Sequence, residues 1–175
     1  MMLTQSLTPL LISAKGLIIN IGSVAAIIPY VFGSVYNASK AALHAYSSTL
    51  RLELEPFDVR VMVVVTGGVE SRIARTKRVL PEGSLYVEIE SDFERRVSHS
   101  QEGAIGNTDY ARGVVREALK APTRTKKWVW RGNRSALIRF VWIWVGGWVF
   151  DWVLPGMFGL RRLGALLRGM ERKRG

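Results

Sequence analysis

Two apolar runs set the terms for what this chain can fold into: "LIINIG" at 17–22 and "VRVMVVVTGG" at 59–68. A strand with one wet face alternates apolar and polar residues, whereas these runs are close to continuously apolar. Both therefore read as strands buried on both faces of a parallel sheet. Parallel strands need a long crossover, and the residues between the runs supply one. A loop holding Ser23, Pro29 and Gly33 leads into a helix from about Val35 to Glu55, which Pro56 stops. Upstream, Leu7, Leu10 and Leu11 mark the last turns of a helix closing near Lys15–Gly16. Downstream, Asp109 is placed to cap a helix over "YARGVVREALKA" ahead of Pro122, and "WVWRGNR" at 128–134 reads as a short strand and turn. Helix and buried strand in alternation give an α/β class, a doubly wound parallel sheet. The stretch from Val69 to about Asn107 is irregular and charged, and reads as a helical flap beside a binding site.

A length of 175 residues with 48% hydrophobic content suits one ordinary domain with a packed core, plus an appendage. Cysteine is absent, which excludes disulfides and thiolate metal sites. Only His44 and His99 offer imidazoles, with no clustered carboxylates beside them, so no metal centre is expected. The opening "MMLTQSLTPLLISAKG" lacks the basic-then-apolar pattern of a signal peptide.

The net charge of +11 is unevenly placed: residues 1–119 balance, while residues 120–175 hold 13 Lys/Arg against Asp151 and Glu171. The sequence therefore divides into a globular part, 1–122, and a basic tail, 123–175. Within the tail, Phe140 to Leu160 carries a single charge, Asp151, and all six tryptophans of the chain fall between 128 and 152. A spanning helix needs about 20 predominantly apolar residues. Here Gly146, Gly147, Pro155 and Gly156 interrupt the run, and a charge at the bilayer centre costs about 2.5–3.5 kcal/mol on insertion scales. Tryptophan favours the membrane–water boundary and arginine the anionic head groups. Residues 128–168 accordingly read as a segment lying in or dipping into one leaflet; a buried hairpin or a partner-facing helix is the bland alternative. Tryptophans packed among Val, Ile and Phe are too apolar for a solvated stacking groove, so no nucleic-acid partner is expected.

The chemistry-bearing residues cluster in the first seventy. Tyr36 and Lys40, four apart, share a helix face. An ammonium beside a phenol favours phenolate and makes the phenol a better acid toward a developing alkoxide. Ser23 follows the first buried strand, at the carboxyl end where open α/β sheets bind ligands, and its hydroxyl suits a substrate carbonyl. His44, Asn20 and the Glu88, Glu90, Asp92, Glu94 run have bland readings: a packed or helix-bonded histidine, a structural amide and a solvated face. No Gly-x-Ser-x-Gly elbow exists.

In order and spacing, "NIGS", "YNASK" and "VRVMVVVTGGVES" resemble the short-chain dehydrogenase/reductases. The resemblance implies a Rossmann-type sheet and an NAD(P)H-dependent oxidoreductase. It further implies that Ser23 positions a carbonyl, that Tyr36 is the acid/base, and that Lys40 binds the nicotinamide ribose and tunes Tyr36. The family's Pro-Gly motif corresponds to Thr66–Gly67, so the proline is absent. Val69 corresponds to the position whose backbone meets the carboxamide, and Ser71 stands where the family carries a threonine on the cofactor. Within the family, the long Tyr36 helix and the Trp-rich basic tail resemble fungal NADPH-dependent 1-acyldihydroxyacetone phosphate reductases. That implies NADPH as cofactor, a lipid-like ketone as substrate, and a location on the endoplasmic reticulum membrane or lipid droplets, on the cytosolic face. A homodimer through the Tyr36 helix is a further expectation.

One departure carries weight. The family's first strand and Gly-rich turn, which hold the pyrophosphate at a helix N-terminus, have no counterpart in this sequence, nor does its catalytic Asn. The chain enters the fold midway, so it is expected to expose a sheet edge and to bind NADP(H) poorly. Two readings follow: a piece of a full enzyme, or a catalytically inactive membrane-associated remnant.

Overall fold

The computed structural model describes residues 2–72 and 78–174. Its centre is a three-stranded parallel sheet in the order β1 (Leu17–Ile21), β2 (Arg60–Thr66), β3 (Trp128–Arg131). Leu17 pairs with Arg60 and Ile21 with Val64; Val63 pairs with Trp128 and Thr66 with Arg131. The third strand lies beyond residue 122, so the sheet runs across the boundary that composition suggests.

β2 is central and buried throughout, from Val61 to Val65. β1 is an edge strand and only half-buried, with Ile21 45% exposed. This corrects the expectation of burial on both faces. Hydropathy registers the apolar run, but burial depends on a neighbour, and among the described residues β1 pairs with β2 alone.

Side chains alternate across β2 and define two cores. Val61 packs with Leu50, Leu54 and Val59 beneath α1 (Met2–Ser13) and α2 (Ser34–Leu54). Met62 and Val64 pack with Val114 and Val129 beneath α4 (Asn107–Ala118) on the other face. α1 ends as the sequence suggests: Lys15 adopts φ +47 and the Gly16 N–H donates to Leu11 O at 2.9 Å, closing the last turn. Helix α4 begins earlier than expected. Gly106 occupies the capping position and Asp109 sits inside the first turn, where its carboxylate still faces the positive helix end.

The irregular stretch from Val69 folds in part into α3 (Glu90–His99); its residues 73–77 lie outside the described residues. The tail forms three helices: α5 (Ser135–Trp144), α6 (Trp148–Met157) and α7 (Leu160–Arg174). Gly146 at φ +112 and Gly159 at φ +74 make the breaks, conformations that other residues resist. Among the described residues, no helix is long and apolar enough to cross a membrane.

These helices fold back on the body. The Asp92 carboxylate accepts from Arg95 at 2.7 Å on α3 and from Arg162 at 2.8 Å on α7. The α6–α7 turn passes so close that a Cβ on Gly159 would lie 2.2 Å from Asp92 Oδ2. Asp92 is thus an inter-helix clamp, not part of a solvated face.

Candidate active site

The carboxyl ends of all three strands open onto one cavity of about 870 Å³. Ser23 and Tyr36 line it, as do Thr66, Gly67, Val69 and Ser71 after β2. Five of the residues singled out in the sequence, Ser23, Tyr36, Gly67, Val69 and Ser71, therefore share one space. Lys40 stands behind the wall: its ammonium donates to Ile21 O at 3.0 Å and lies 5.8 Å from the centre of the Tyr36 ring.

Ser23 is buried and extended, and caps a 3-10 turn at Val24–Ala26 by accepting from Ala25 N at 3.1 Å. Accepting leaves its hydroxyl proton for another acceptor. Its own N–H donates to His44 Nε2 at 3.3 Å. His44 therefore does more than bond within its helix: it fixes the backbone of the Ser23 turn. Gly22 makes this approach possible, because a Cβ there would lie 2.1 Å from His44 Nε2. Trp128 meets the same ring edge-on at 5.3 Å. Burial, aided by the Lys40 charge, holds the His44 pKa below its ordinary value, consistent with a neutral ring accepting at Nε2. Asn20 is structural as expected, donating to Ser47 Oγ at 2.8 Å.

After β2 the chain is held by protein contacts. A Cβ on Gly67 would lie 2.1 Å from Asn133 O, and one on Gly68 would lie 2.9 Å from Ser100 O. These glycines are required by the close approach of neighbouring backbone. Gln101 staples the next residues, accepting from Ser71 N at 3.0 Å and donating to Val69 O at 3.3 Å.

One group on the wall is invisible to local sequence reading. Tyr30 Oη lies 2.8 Å from His99 Nδ1, and Arg134 Nη1 donates to His99 Nε2 at 2.6 Å. Arg96 is buried, stacks over the Tyr30 ring at 4.2 Å and donates to Val31 O at 2.6 Å. Phe158 closes the group, edge-on to both Tyr30 and His99. Its members come from the β1–α2 loop, α3, the β3–α5 turn and the α6–α7 turn, so no spacing announces them.

A phenol with an ammonium behind it suits the nicotinamide–ribose end of a dinucleotide. Among the described residues no Gly-rich helix N-terminus faces the cavity to take a pyrophosphate.

The family model for short chain dehydrogenases matches residues 1–79. A short-chain dehydrogenase of Neurospora crassa is 40% identical over 156 residues, which is 88% of this chain and 53% of that protein. The NADPH-dependent 1-acyldihydroxyacetone phosphate reductase of Saccharomyces cerevisiae is 37% identical over 173 residues, 97% of this chain and 57% of that protein. The chain belongs to the short-chain dehydrogenase family. A short-chain dehydrogenase from Streptomyces avermitilis shares the fold at TM-score 0.59 and 22% identity, over 99% of this chain and 57% of that one. Another, from Burkholderia cenocepacia in complex with NADP, does so at TM-score 0.54 and 24% identity, over 79% of this chain and 47% of that one. The chain spans about half the length of the curated relatives it matches. In a short-chain dehydrogenase chain, a cavity at the carboxyl ends of the strands lies where open α/β sheets bind ligands.

Proposed function

We propose that this chain carries the substrate-reducing part of an NADPH-dependent oxidoreductase acting on a lipid-like ketone of the 1-acyldihydroxyacetone phosphate type. The observation that carries this reading is the single cavity. It joins the Ser23 hydroxyl and Tyr36 phenol on one side to a wall of Leu137, Val141, Val153 and Phe158 on the other. A small polar ketone has no use for that wall; an acyl chain does.

The chain's own residues divide the work. Ser23 donates to the ketone oxygen and fixes its orientation. Tyr36 gives its proton to that oxygen as the carbonyl becomes an alcohol. Tyr36, Gly67, Val69 and Ser71 border the place for the nicotinamide end of NADPH, with Lys40 behind Tyr36; when bound, NADPH supplies the hydride that balances the reduction. His44 positions Ser23 through its backbone N–H.

The reading extends to a lipid surface. Trp144, Trp148 and Trp152 stand 76%, 64% and 64% exposed on α5 and α6, with Arg161 over the Trp152 ring. A row of exposed indoles flanked by arginines supports an interfacial hairpin on endoplasmic reticulum or lipid-droplet membranes.

The test is turnover of an acylated dihydroxyacetone phosphate with NADPH, by the longest in-frame form that the transcript encodes. Tyr36→Phe is expected to lower kcat about 10²–10⁴-fold at unchanged thermal stability. Unchanged turnover in Tyr36→Phe removes the catalytic assignment. Flotation of the intact chain with anionic vesicles tests the surface claim, and a folded chain that stays at the bottom of the gradient removes it.

A further inference from the structure

The cavity is chemically two-sided. Helices α5 and α6 give it aliphatic walls, whereas α3 and the β3–α5 turn line it with Arg95, Arg96, His99 and Arg134, Arg78 adds a further guanidinium beside Arg96, and Glu102 is its one lining acid among the described residues. The cations differ in what occupies them. Arg95 is bound to Asp92. Arg96 is committed to Val31 O and to the face of Tyr30. Arg134 joins no ion pair among the described residues, and its guanidinium makes one hydrogen bond there, to His99.

That bond has a direction. A guanidinium only donates, so His99 Nε2 accepts, and the Nδ1 proton points to Tyr30 Oη. Burial first, and the Arg134 charge second, hold the His99 pKa below its ordinary value, so the ring stays neutral in this role. Arg134 is also fixed at the backbone. It adopts φ +61 directly after Asn133, whose N–H donates to Gly68 O at 2.8 Å and whose carbonyl accepts from Gly68 N at 3.0 Å. A guanidinium anchored at both ends, with most of its five donors unspent, is preorganised for an oxyanion.

We propose that Arg134, held by the Tyr30–His99 chain, receives the phosphate of an acylated phosphate ester whose acyl chain lies along the α5–α6 wall. This assignment rests on the reductase reading of the same cavity and names the residue that selects a charged lipid over a neutral one.

The test needs no cofactor. Binding of two probes is followed by tryptophan fluorescence on the 175-residue chain: 1-octanoylglycerol 3-phosphate, and 1-octanoylglycerol without the phosphate. The unaltered chain is expected to favour the phosphate form by about 10–100-fold, the range of charge-assisted hydrogen bonds. Arg134→Ala should erase that preference and leave binding of the neutral probe unchanged, while Arg134→Lys should keep part of it. Inorganic phosphate at equal concentration should not displace the phosphate probe. The proposal is overturned if Arg134→Ala keeps the preference, if it weakens both probes equally, or if inorganic phosphate competes as well as the lipid does. Thermal melting of each variant shows that the chain is folded. Tyr36→Phe should bind both probes as the unaltered chain does. Absent turnover by the unaltered longest form, with the phosphate preference retained, would remove the reductase reading alone, and turnover with no phosphate preference would remove the Arg134 assignment alone.

Discussion

Phe158 is the residue whose removal best tests whether the tail is part of the fold. It is 1% exposed and the largest of the fully buried side chains. Its ring meets Tyr30 at 5.6 Å and 78°, and His99 at 5.4 Å and 89°, joining the α6–α7 turn to the β1–α2 loop and to α3. Truncating a buried Phe to Ala costs about 3–5 kcal/mol, through lost burial and the cavity left behind. Two edge-to-face contacts, each about 0.5–1.5 kcal/mol beyond burial, place Phe158→Ala in the upper half of that range. For a chain of 175 residues, about 2–4 °C of Tm per kcal/mol converts this to a fall of about 8–20 °C. Phe158→Leu, which keeps most of the volume, should cost about 1.5 kcal/mol or less. The assay is thermal unfolding followed by far-UV and near-UV circular dichroism in the absence of lipid. A Phe158→Ala chain melting within about 2 °C of the unaltered one would show that the tail does not seat on the body, and the packing described for the cavity would be wrong.

Gly67→Ala should destabilise by about 3 kcal/mol or prevent folding, since its Cβ would lie 2.1 Å from the Asn133 carbonyl. Gly83→Ala, at φ +73 with nothing within 4 Å, should cost only about 1 kcal/mol of backbone strain. Equal melting temperatures for the two would refute the account of the turn after β2. His44 and His99 are both held below the ordinary histidine pKa, mainly by burial. The unfolded chain therefore binds more protons than the folded one below about pH 6.5, and stability present above that value is lost as pH falls through it. Tm should drop between pH 7 and pH 5 and drop less in the His44→Gln, His99→Gln double variant; a flat profile in the unaltered chain would contradict the burial of both rings.

The strands and the helices α1, α2 and α4 are written in local pattern, and the sequence locates them to within a few residues, whereas α3 and the three tail helices are not set apart by it. Val35 to Glu55 is observed as Ser34–Leu54, and the run at 59–68 as Arg60–Thr66. Ser23 and Tyr36 are equally legible, because strand end and helix face follow from periodicity, and they do share a cavity. What the pattern cannot carry is the identity of neighbours. β1 is as apolar as β2, yet it lies half-buried because an edge strand lacks a partner on one side. Asp92 looks like one acid in a solvated row, but residues seventy positions away turn it into a clamp. Tyr30, His99 and Arg134 meet across separations of 69 and 35 residues, and nothing within any one segment marks them.

The apolar run from 140 to 160 shows the same limit in its sharpest form, and it supports a decisive mutational contrast. Hydropathy scores its members alike, but Leu154 and Phe158 are 6% and 1% exposed, while Trp144, Trp148 and Trp152 are 76%, 64% and 64% exposed. Trp148 and Trp152 share one side of α6, with Trp144 ending α5 ahead of them, whereas Leu154 is on another side with Phe158 just past the helix end, and the two sets face different surroundings. The inward side belongs to the cavity; the outward side is what a lipid surface would meet. An indole of about 200 Å² with two-thirds of its area open gains roughly 3 kcal/mol on transfer to an apolar phase at about 25 cal/mol per Å². Replacing Trp144, Trp148 and Trp152 together by Ser should then reduce vesicle binding by orders of magnitude while Tm stays within about 2 °C. Phe158→Ala should do the reverse, lowering Tm steeply while the outward indoles keep the folded fraction on lipid. Should the triple variant float as well as the unaltered chain, the exposed tryptophans are not the lipid contact, and the basic face of α7 becomes the surface to remove next.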